Sequence, residues 1–321
     1  MAFVYPMTLC VSKHFAIKNH RIIRTLRFIM NTKLTTHHSR LTLIECPRDA
    51  MQGWPHFIPT QQKIQYLNAL LKVGFDTLDF GSFVSPKAIP QMADTKEVLS
   101  RLDLADTQTK LLAIVANIRG AEEAVVFDAV TYLGFPFSIS PTFQLRNTNS
   151  SMEESVQRVE AIQELCIKNN KQLVLYLSMG FGNPYGDDYN AEILLHWADE
   201  MARKEIKILS LADTVGLATT EQVSFALETL IPQYPDVNIG VHLHSTATTW
   251  QTKLDAALQA GCTRFDGALK GIGGCPMAQD ELVGNMDSAL MIPYLLEKGL
   301  LKGLNENALQ ESLHMANEIF V

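Results

Sequence analysis

No Cys-x-x-Cys pair occurs in this sequence, and its five cysteines, at positions 10, 46, 166, 262 and 275, are odd in number. That excludes a disulfide framework, fits free thiols in a reducing compartment, and leaves no ligand set for a zinc-thiolate cluster. Also missing is any unbroken apolar run of about 18 residues, so no membrane span is expected. An excess of positive charge is absent too. The formal net charge of -7 argues against a nucleic-acid-binding surface while allowing a local basic pocket for an anionic ligand. No Pro- or Ser-rich linker divides the 321 residues, a length that one α/β barrel can fill.

Acid is lacking from the first 44 residues, which hold seven Lys or Arg before Glu45. Arg21, Arg24 and Arg27 recur every third residue among Ile22, Ile23, Leu26, Phe28 and Ile29, a basic amphipathic pattern of the transit-peptide kind. The competing reading is an upstream extension, with Met30 as the initiator. A secretory signal fits poorly, because the apolar run Met1 to Val11 precedes the charges instead of following them. On either reading residues 1–40 stand outside the fold, and residues 41–321 form a single domain. The compartment is then the cytoplasm of a bacterium, or the mitochondrial matrix if the segment is a transit peptide.

What the chain has in quantity is alternation. Short aliphatic runs at Leu41–Glu45, Thr77–Phe80, Leu111–Val115, Tyr132–Ser138, Leu173–Ser178, Ile206–Ala212, Asn238–His244 and Arg264–Ala268 read as strands. Between them lie amphipathic stretches near 60–73, 94–101, 119–128, 152–169, 188–204, 220–231 and 249–261, with another at 281–299. For the helix from Met152 to Asn169, Ser150 or Ser151 is the cap, and Glu153 and Glu154 sit where the helix dipole favours acid. Eight β/α pairs predict a (β/α)8 TIM barrel with one or two extra C-terminal helices after Gly303.

A barrel places its chemistry at the C-terminal ends of its strands. There stand Arg48 and Asp49, Asp79, Asp213 and Thr214, His242 and His244, and Cys275 and Asn285. His242 and His244, one residue apart on a strand, share a face. With Asp49 and Asn285 they make a mixed N/O set suited to Mg²⁺ or Mn²⁺, against the plainer reading of an ordinary histidine pair. Such an ion is a Lewis acid for substrate oxygens. Cys275, in the glycine run Gly271–Gly274, is either a small buried hydrophobe or a mobile acid or base. Arg48 is either a salt-bridge partner or a forked donor to developing negative charge. Asp79 and Asp213 either act directly or hold Arg48 and the histidines in place.

From about Leu41 to Leu300 the chain resembles 3-hydroxy-3-methylglutaryl-CoA lyase, a metal-dependent TIM-barrel lyase. The resemblance rests on Cys46-Pro47-Arg48-Asp49 with Gln52, on Ser82 to Lys87 with Pro90-Gln91-Met92, and on Asn147 to Ser151. It continues through Asp213-Thr214-Val215-Gly216, His242-Leu243-His244, and Gly271 to Ala278 followed by Gly284-Asn285. It implies cleavage of a branched 3-hydroxyacyl-CoA to acetyl-CoA and acetoacetate, in the setting of leucine degradation and ketone-body metabolism. The implied divalent metal, Mg²⁺ or Mn²⁺, sits on Asp49, His242, His244 and Asn285. Arg48 stabilises the enolate and Cys275 assists its protonation, with Asp79 standing where the family has a glutamate and Asp213 among the catalytic group. Gln52, Ser82 and Thr214 match positions near the substrate. An acyl-CoA is the expected partner, without nucleic acid or membrane, and a homodimer is an open alternative to a monomer.

The departures gather around the substrate. Ser245 replaces the family's aspartate after His-x-His, Ala50 its glycine after Arg-Asp, and Trp54 and Pro55 an acid and a lysine. Val174 replaces an arginine in the fifth strand, and Ala289 an acid, with Asp287 nearby. Lost methylenes or cations beside a carboxylate cost on the order of 1–3 kcal/mol of transition-state binding, enough to slow or redirect the reaction. A related Claisen-type condensing enzyme and a non-catalytic acyl-CoA-binding paralogue remain as alternatives.

Overall fold

In a computed structural model, residues 40–274 and 283–321 are described. The basic segment before Arg40 and the cysteine at 275 lie outside them. Eight parallel strands follow one another around a closed barrel in sequence order. They are β1 (Thr42–Glu45), β2 (Thr77–Ser82), β3 (Lys110–Ile114), β4 (Val130–Ser138), β5 (Gln172–Ser178), β6 (Ile208–Ala212), β7 (Asn238–His242) and β8 (Arg264–Gly267). Closure joins β8 to β1 through Thr42↔Arg264, Leu43↔Phe265, Ile44↔Asp266 and Glu45↔Gly267. The outward face of each strand meets the helical layer, and Leu43, Leu78, Leu133, Leu175, Leu209 and Leu211 are all buried there. A separate cluster of Leu112, Val174, Tyr176 and Ile208 is packed together with Ile114 and Tyr132. These residues keep the period-two spacing of one strand face, the face that fills the interior of a barrel.

The helices form where the apolar period and the caps agree. They are α1 (Pro47–Gln52), α2 (Thr60–Leu71), α3 (Thr95–Ser100), α4 (Ile118–Val125), α5 (Pro141–Thr148), α6 (Met152–Lys168), α7 (Ala191–Arg203), α8 (Thr220–Gln233), α9 (Trp250–Gln259), α10 (Ser288–Glu297) and α11 (Glu306–Ile319). Ser151 caps α6 and Glu154 closes the reciprocal capping box; Thr219 and Gln222 do the same for α8. None of these helices is long and apolar enough to cross a membrane.

Two helices depart from the periodicity reading. Six-residue α1 and eight-residue α5 are too short to show a full apolar stripe, and each is started by a proline in its first turn. β2 runs past Asp79 to Ser82, with a register shift between Asp79 and Gly81. β7 stops at His242, so His244 lies beyond it, bridged antiparallel to Asn285. One helix, α11, follows Gly303. The Phe320 ring after it lies edge-on to Trp54 at 5.2 Å and to Tyr66 at 6.2 Å. That fixes the segment behind α1.

Candidate active site

A cavity of about 150 Å³ opens at the C-terminal rim. Its wall combines Arg48, Asp49, Gln52, Thr214, His242 and His244 with an apolar side that includes Val84, Ile89, Ile114, Pro136 and Phe143. Arg48 and Asp49 reach it because Pro47 turns the chain into α1 directly after β1. Arg48 donates through Nε and Nη2 to the Asp79 carboxylate, at 3.0 and 2.5 Å to Oδ2, and through Nη1 to Asp49 Oδ1 at 2.9 Å. Burial works against the Arg48 charge, and Asp79 and Asp49 more than restore it. Asp79 itself is pushed up to about 6 by burial, with Asp49 and Asp266 adding to the rise and Arg48 opposing it.

Asp49, His242 and His244 bring ligand atoms within 4.8 Å of one another. Gln52 Nε2 donates to Asp49 Oδ1 at 3.1 Å. Asn285 Nδ2 donates to Asp49 Oδ2 at 2.7 Å and to the Ile272 carbonyl at 2.8 Å. Both amide hydrogens of Asn285 are thereby used. His244 Nδ1 lies 2.7 Å from the Val283 carbonyl. A carbonyl only accepts, so Nδ1 carries the proton and Nε2 keeps its lone pair. Burial, then His242, pushes His244 down to about 4, the neutral form a metal ligand needs. Burial also opposes charge on Asp49, but Arg48, the two histidines and Asn285 hold it well below the usual carboxylate range.

Two glycines let the chain close over this set. At Gly273, with φ +127°, an added Cβ would lie 2.1 Å from Asn285 Nδ2 and 2.7 Å from Asp49 Oδ2. At Gly284 it would lie 1.9 Å from the Gly271 carbonyl oxygen. Side chains at either position would push the loop off the carboxylate. Residues 284–287 then run between the chain segments that follow β7 and β8: Ser245 N donates to Gly284 O at 2.9 Å, Met286 N to Leu243 O at 3.0 Å and Ala268 N to Met286 O at 3.0 Å. One carboxylate, two imidazoles free at Nε2 or held by one nitrogen, and one amide oxygen thus fit a divalent cation.

Other expected site residues stand elsewhere. Asp213 is 1 % exposed and absent from the cavity wall. Its Oδ2 accepts from Lys253 Nζ at 2.7 Å and its Oδ1 from Ala218 N at 2.9 Å. Lys253 also donates to the His244 carbonyl at 2.7 Å, so Asp213 braces the end of β7 from behind. Ser82 is buried outside the cavity wall, and its hydroxyl has no partner among the described residues. Thr214 lines the cavity and accepts from Met179 N at 2.8 Å. The Pro90-Gln91-Met92 motif is structural: Gln91 accepts from Ile58 N and donates to the carbonyls of Trp54 and His56.

Sequence reasoning missed Lys253, Asp266 and Arg264. Asp266 Oδ2 lies 3.2 Å from His242 Nδ1, and Arg264 Nη1 donates to Asp266 Oδ1 at 3.2 Å. An Arg-x-Asp pair inside an apolar strand carries a period-two signal that points both charges to one face. Lys253 carries no such signal, since it sits on α9 and reaches Asp213 only in the folded chain.

Comparison with known proteins agrees with this layout. The HMGL-like family model matches residues 42–315. The chain is 35% identical over 255 residues to "Hydroxymethylglutaryl-CoA lyase YngG" of Bacillus subtilis (strain 168), covering 78% of this chain and 83% of that protein. It is 29% identical over 293 residues to the mitochondrial hydroxymethylglutaryl-CoA lyase of Macaca fascicularis, covering 90% and 89%. Among solved structures, it is similar to an HMG-CoA lyase from Acenitobacter baumannii in complex with coenzyme A and 3-methylmalate. The TM-score there is 0.82 at 28% identity, over 89% of this chain and 93% of the other. A Bacillus subtilis HMG-CoA lyase structure gives a TM-score of 0.79 at 33% identity, over 87% and 93%.

Proposed function

The chain belongs to the HMGL-like family, and from that premise we propose that it is a divalent-metal-dependent carbon-carbon lyase. Its substrate is 3-hydroxy-3-methylglutaryl-CoA or a close acyl-CoA analogue, and the products from the former are acetyl-CoA and acetoacetate. The observation that carries this reading is the convergence of Asp49, His242, His244 and Asn285 beside Arg48 at one cavity. Those four residues would hold the cation, which when bound supplies Lewis-acid polarisation of substrate oxygens. The coenzyme A in the Acenitobacter baumannii structure supports an acyl-CoA ligand.

A base of the site takes the proton of the tertiary hydroxyl, the bond between C2 and C3 breaks, and the electron pair passes into the thioester as an enolate. Arg48 is suited to meet that charge. Of its five N–H donors, three point at Asp79 and Asp49, leaving one on each Nη. Since Asp79 and Asp49 already fix the guanidinium, little reorganisation accompanies the reaction. Protonation of C2 falls to Cys275, with Gln52 and Thr214 lining the substrate's cavity and Asp213 bracing β7. The apolar wall takes the acyl arm and keeps water from the enolate. The basic segment before Arg40 is either a transit peptide, which would place the protein in the mitochondrial matrix, or an extension upstream of a Met30 start, which goes with the cytoplasm of a bacterium.

The test is direct. Purified protein with Mn²⁺ or Mg²⁺ and 3-hydroxy-3-methylglutaryl-CoA should release acetoacetate and acetyl-CoA in equal amounts, and a chelator should stop it. Folded, metal-loaded protein that releases neither product would sink the lyase reading.

A further inference from the structure

Beneath the site, β8 carries two buried charges on one face, Arg264 and Asp266, each 3% exposed. We propose that they form a positioning pair that sets which ring nitrogen of His242 is free to face Asp49, His244 and Asn285. The consequence for metal affinity rests on the metal-site reading above; the tautomer itself does not.

The geometry is a column. The Arg264 stem packs against Gly240 on β7, where an added Cβ would come within 2.8 Å of Arg264 Cβ and Cγ and 2.9 Å of Cδ. The missing side chain on β7 makes room for the arginine inside the barrel. Arg264 Nη1 then donates to Asp266 Oδ1 at 3.2 Å, and Asp266 Oδ2 faces His242 Nδ1 at 3.2 Å. A guanidinium has donors only and a carboxylate acceptors only. Reading upward, Arg264 requires an acceptor at Oδ1, the carboxylate presents an acceptor at Oδ2, and His242 must carry its proton on Nδ1. In the neutral ring Nε2 is then left with its lone pair. The pair also separates two candidate metal groups that share His242, one with Asp49 and His244, the other with Cys46 and Asp266. Arg264 and His242 occupy the Asp266 oxygens, which withdraws the second group and commits His242 to the first.

Arg264 therefore makes an unusual demand on an amide at position 266. In Asp266→Asn, the amide oxygen would turn to Arg264 and the NH₂ group to His242. Nδ1 would become an acceptor, and the ring proton would move to Nε2, where the cation should bind. Removing the arginine as well lets the amide turn over and present its oxygen to Nδ1 again.

Nitrogen NMR of ¹⁵N-histidine-labelled, metal-free protein, with His242 assigned from a His242→Gln spectrum, reads the tautomer. Mn²⁺ titration calorimetry reads affinity. The wild type should show the proton on Nδ1, and Asp266→Asn should move it to Nε2 and weaken Mn²⁺ binding about ten- to a hundredfold. Arg264→Met combined with Asp266→Asn should bind Mn²⁺ more tightly than Asp266→Asn alone, an outcome no simple loss of packing would give. A wild-type proton on Nε2 overturns the proposal, as does unchanged tautomer and affinity in Asp266→Asn or a double variant no better than the single. The wild-type spectrum can overturn the proposal even if a variant does not fold. If the wild type binds no Mn²⁺ while showing the Nδ1 proton, the metal reading fails and the positioning pair stands.

Discussion

Arg48 shows at the scale of one residue how shared partners divide a side chain's work. Its Asp79 side is an anchor and its Asp49 contact ties it to the candidate metal set. A lysine has one compact ammonium and cannot span both acids while still offering donors to an enolate. Arg48→Lys should therefore lower kcat on 3-hydroxy-3-methylglutaryl-CoA by about 10²-fold or more, with Mn²⁺ affinity by calorimetry little changed. A variant with normal turnover would remove Arg48 from the chemistry. Cys275→Ser separates two roles in the same way. A proton donor replaced by a much weaker acid should cut turnover sharply and leave Mn²⁺ affinity near normal, and loss of the metal instead would make Cys275 a ligand.

Much of this scale was legible beforehand. Arg48, Asp49, Gln52, His242 and His244 stand at the C-terminal rim, as their places just after or at the ends of strands one and seven predicted, because the order of short strands and loops is a local property. The partners were not legible. Asp213 faces Lys253 on α9, and His242 faces Asp266 on β8, and neither pairing leaves a mark on the residues nearby in sequence.

At the scale of elements, the deciding piece is the glycine loop after β8 and the return of residues 284–287 between the segments that follow β7 and β8. It sets Asn285 opposite His244 and over Asp49. Gly273 combines a positive φ that L side chains rarely adopt with contact distances no Cβ could occupy. Gly273→Ala should weaken Mn²⁺ binding and lower kcat/KM together, each by at least about tenfold, while far-ultraviolet circular dichroism stays that of the wild type. An alanine variant with normal metal affinity would mean that the loop does not need its close approach to Asp49. The run of glycines, Asn285 and Asp49 were each visible in the sequence, but not that Gly273 makes room for the contact between the other two.

At the scale of the whole molecule, the barrel is closed by a seam between its first and last strands, and Glu45 sits in it. Its Oε1 accepts from Leu269 N at 2.7 Å and its Oε2 from Ser288 Oγ at 2.5 Å, which ties the end of β1 to the segment after β8 and to the start of α10. Burial pushes Glu45 from its ordinary 4.5 up to about 8, against hydrogen bonds from Ser288 and Leu269 that lower it. The sign follows from proton binding. Between 4.5 and about 8 the folded chain holds a proton that the unfolded chain has released. Stability from this group is complete below 4.5 and is lost as pH rises through about 8. Glu45→Gln, which mimics the protonated acid, should melt at least about 2 °C above the wild type at pH 8.5, with the difference vanishing toward pH 5. Equal melting curves at both pH values would place the ionised form in the seam.

The same closure makes the site. β7, β8 and β1 are consecutive around the barrel, so His242 and His244 come beside Asp49 although nearly 200 residues separate them. The amino-acid sequence by itself determined the eight alternations and the strand-end residues, since periodicity, caps and glycine runs act over a few residues, and the class of chemistry followed from the family resemblance that its motifs carry. Only the tertiary structure decided that Asp213 is held by Lys253 behind the wall, that Glu45 closes the seam, and that Arg264 and Asp266 stand under His242. Those outcomes depend on strand register and barrel closure, where a shift of one residue turns every side chain to the other face.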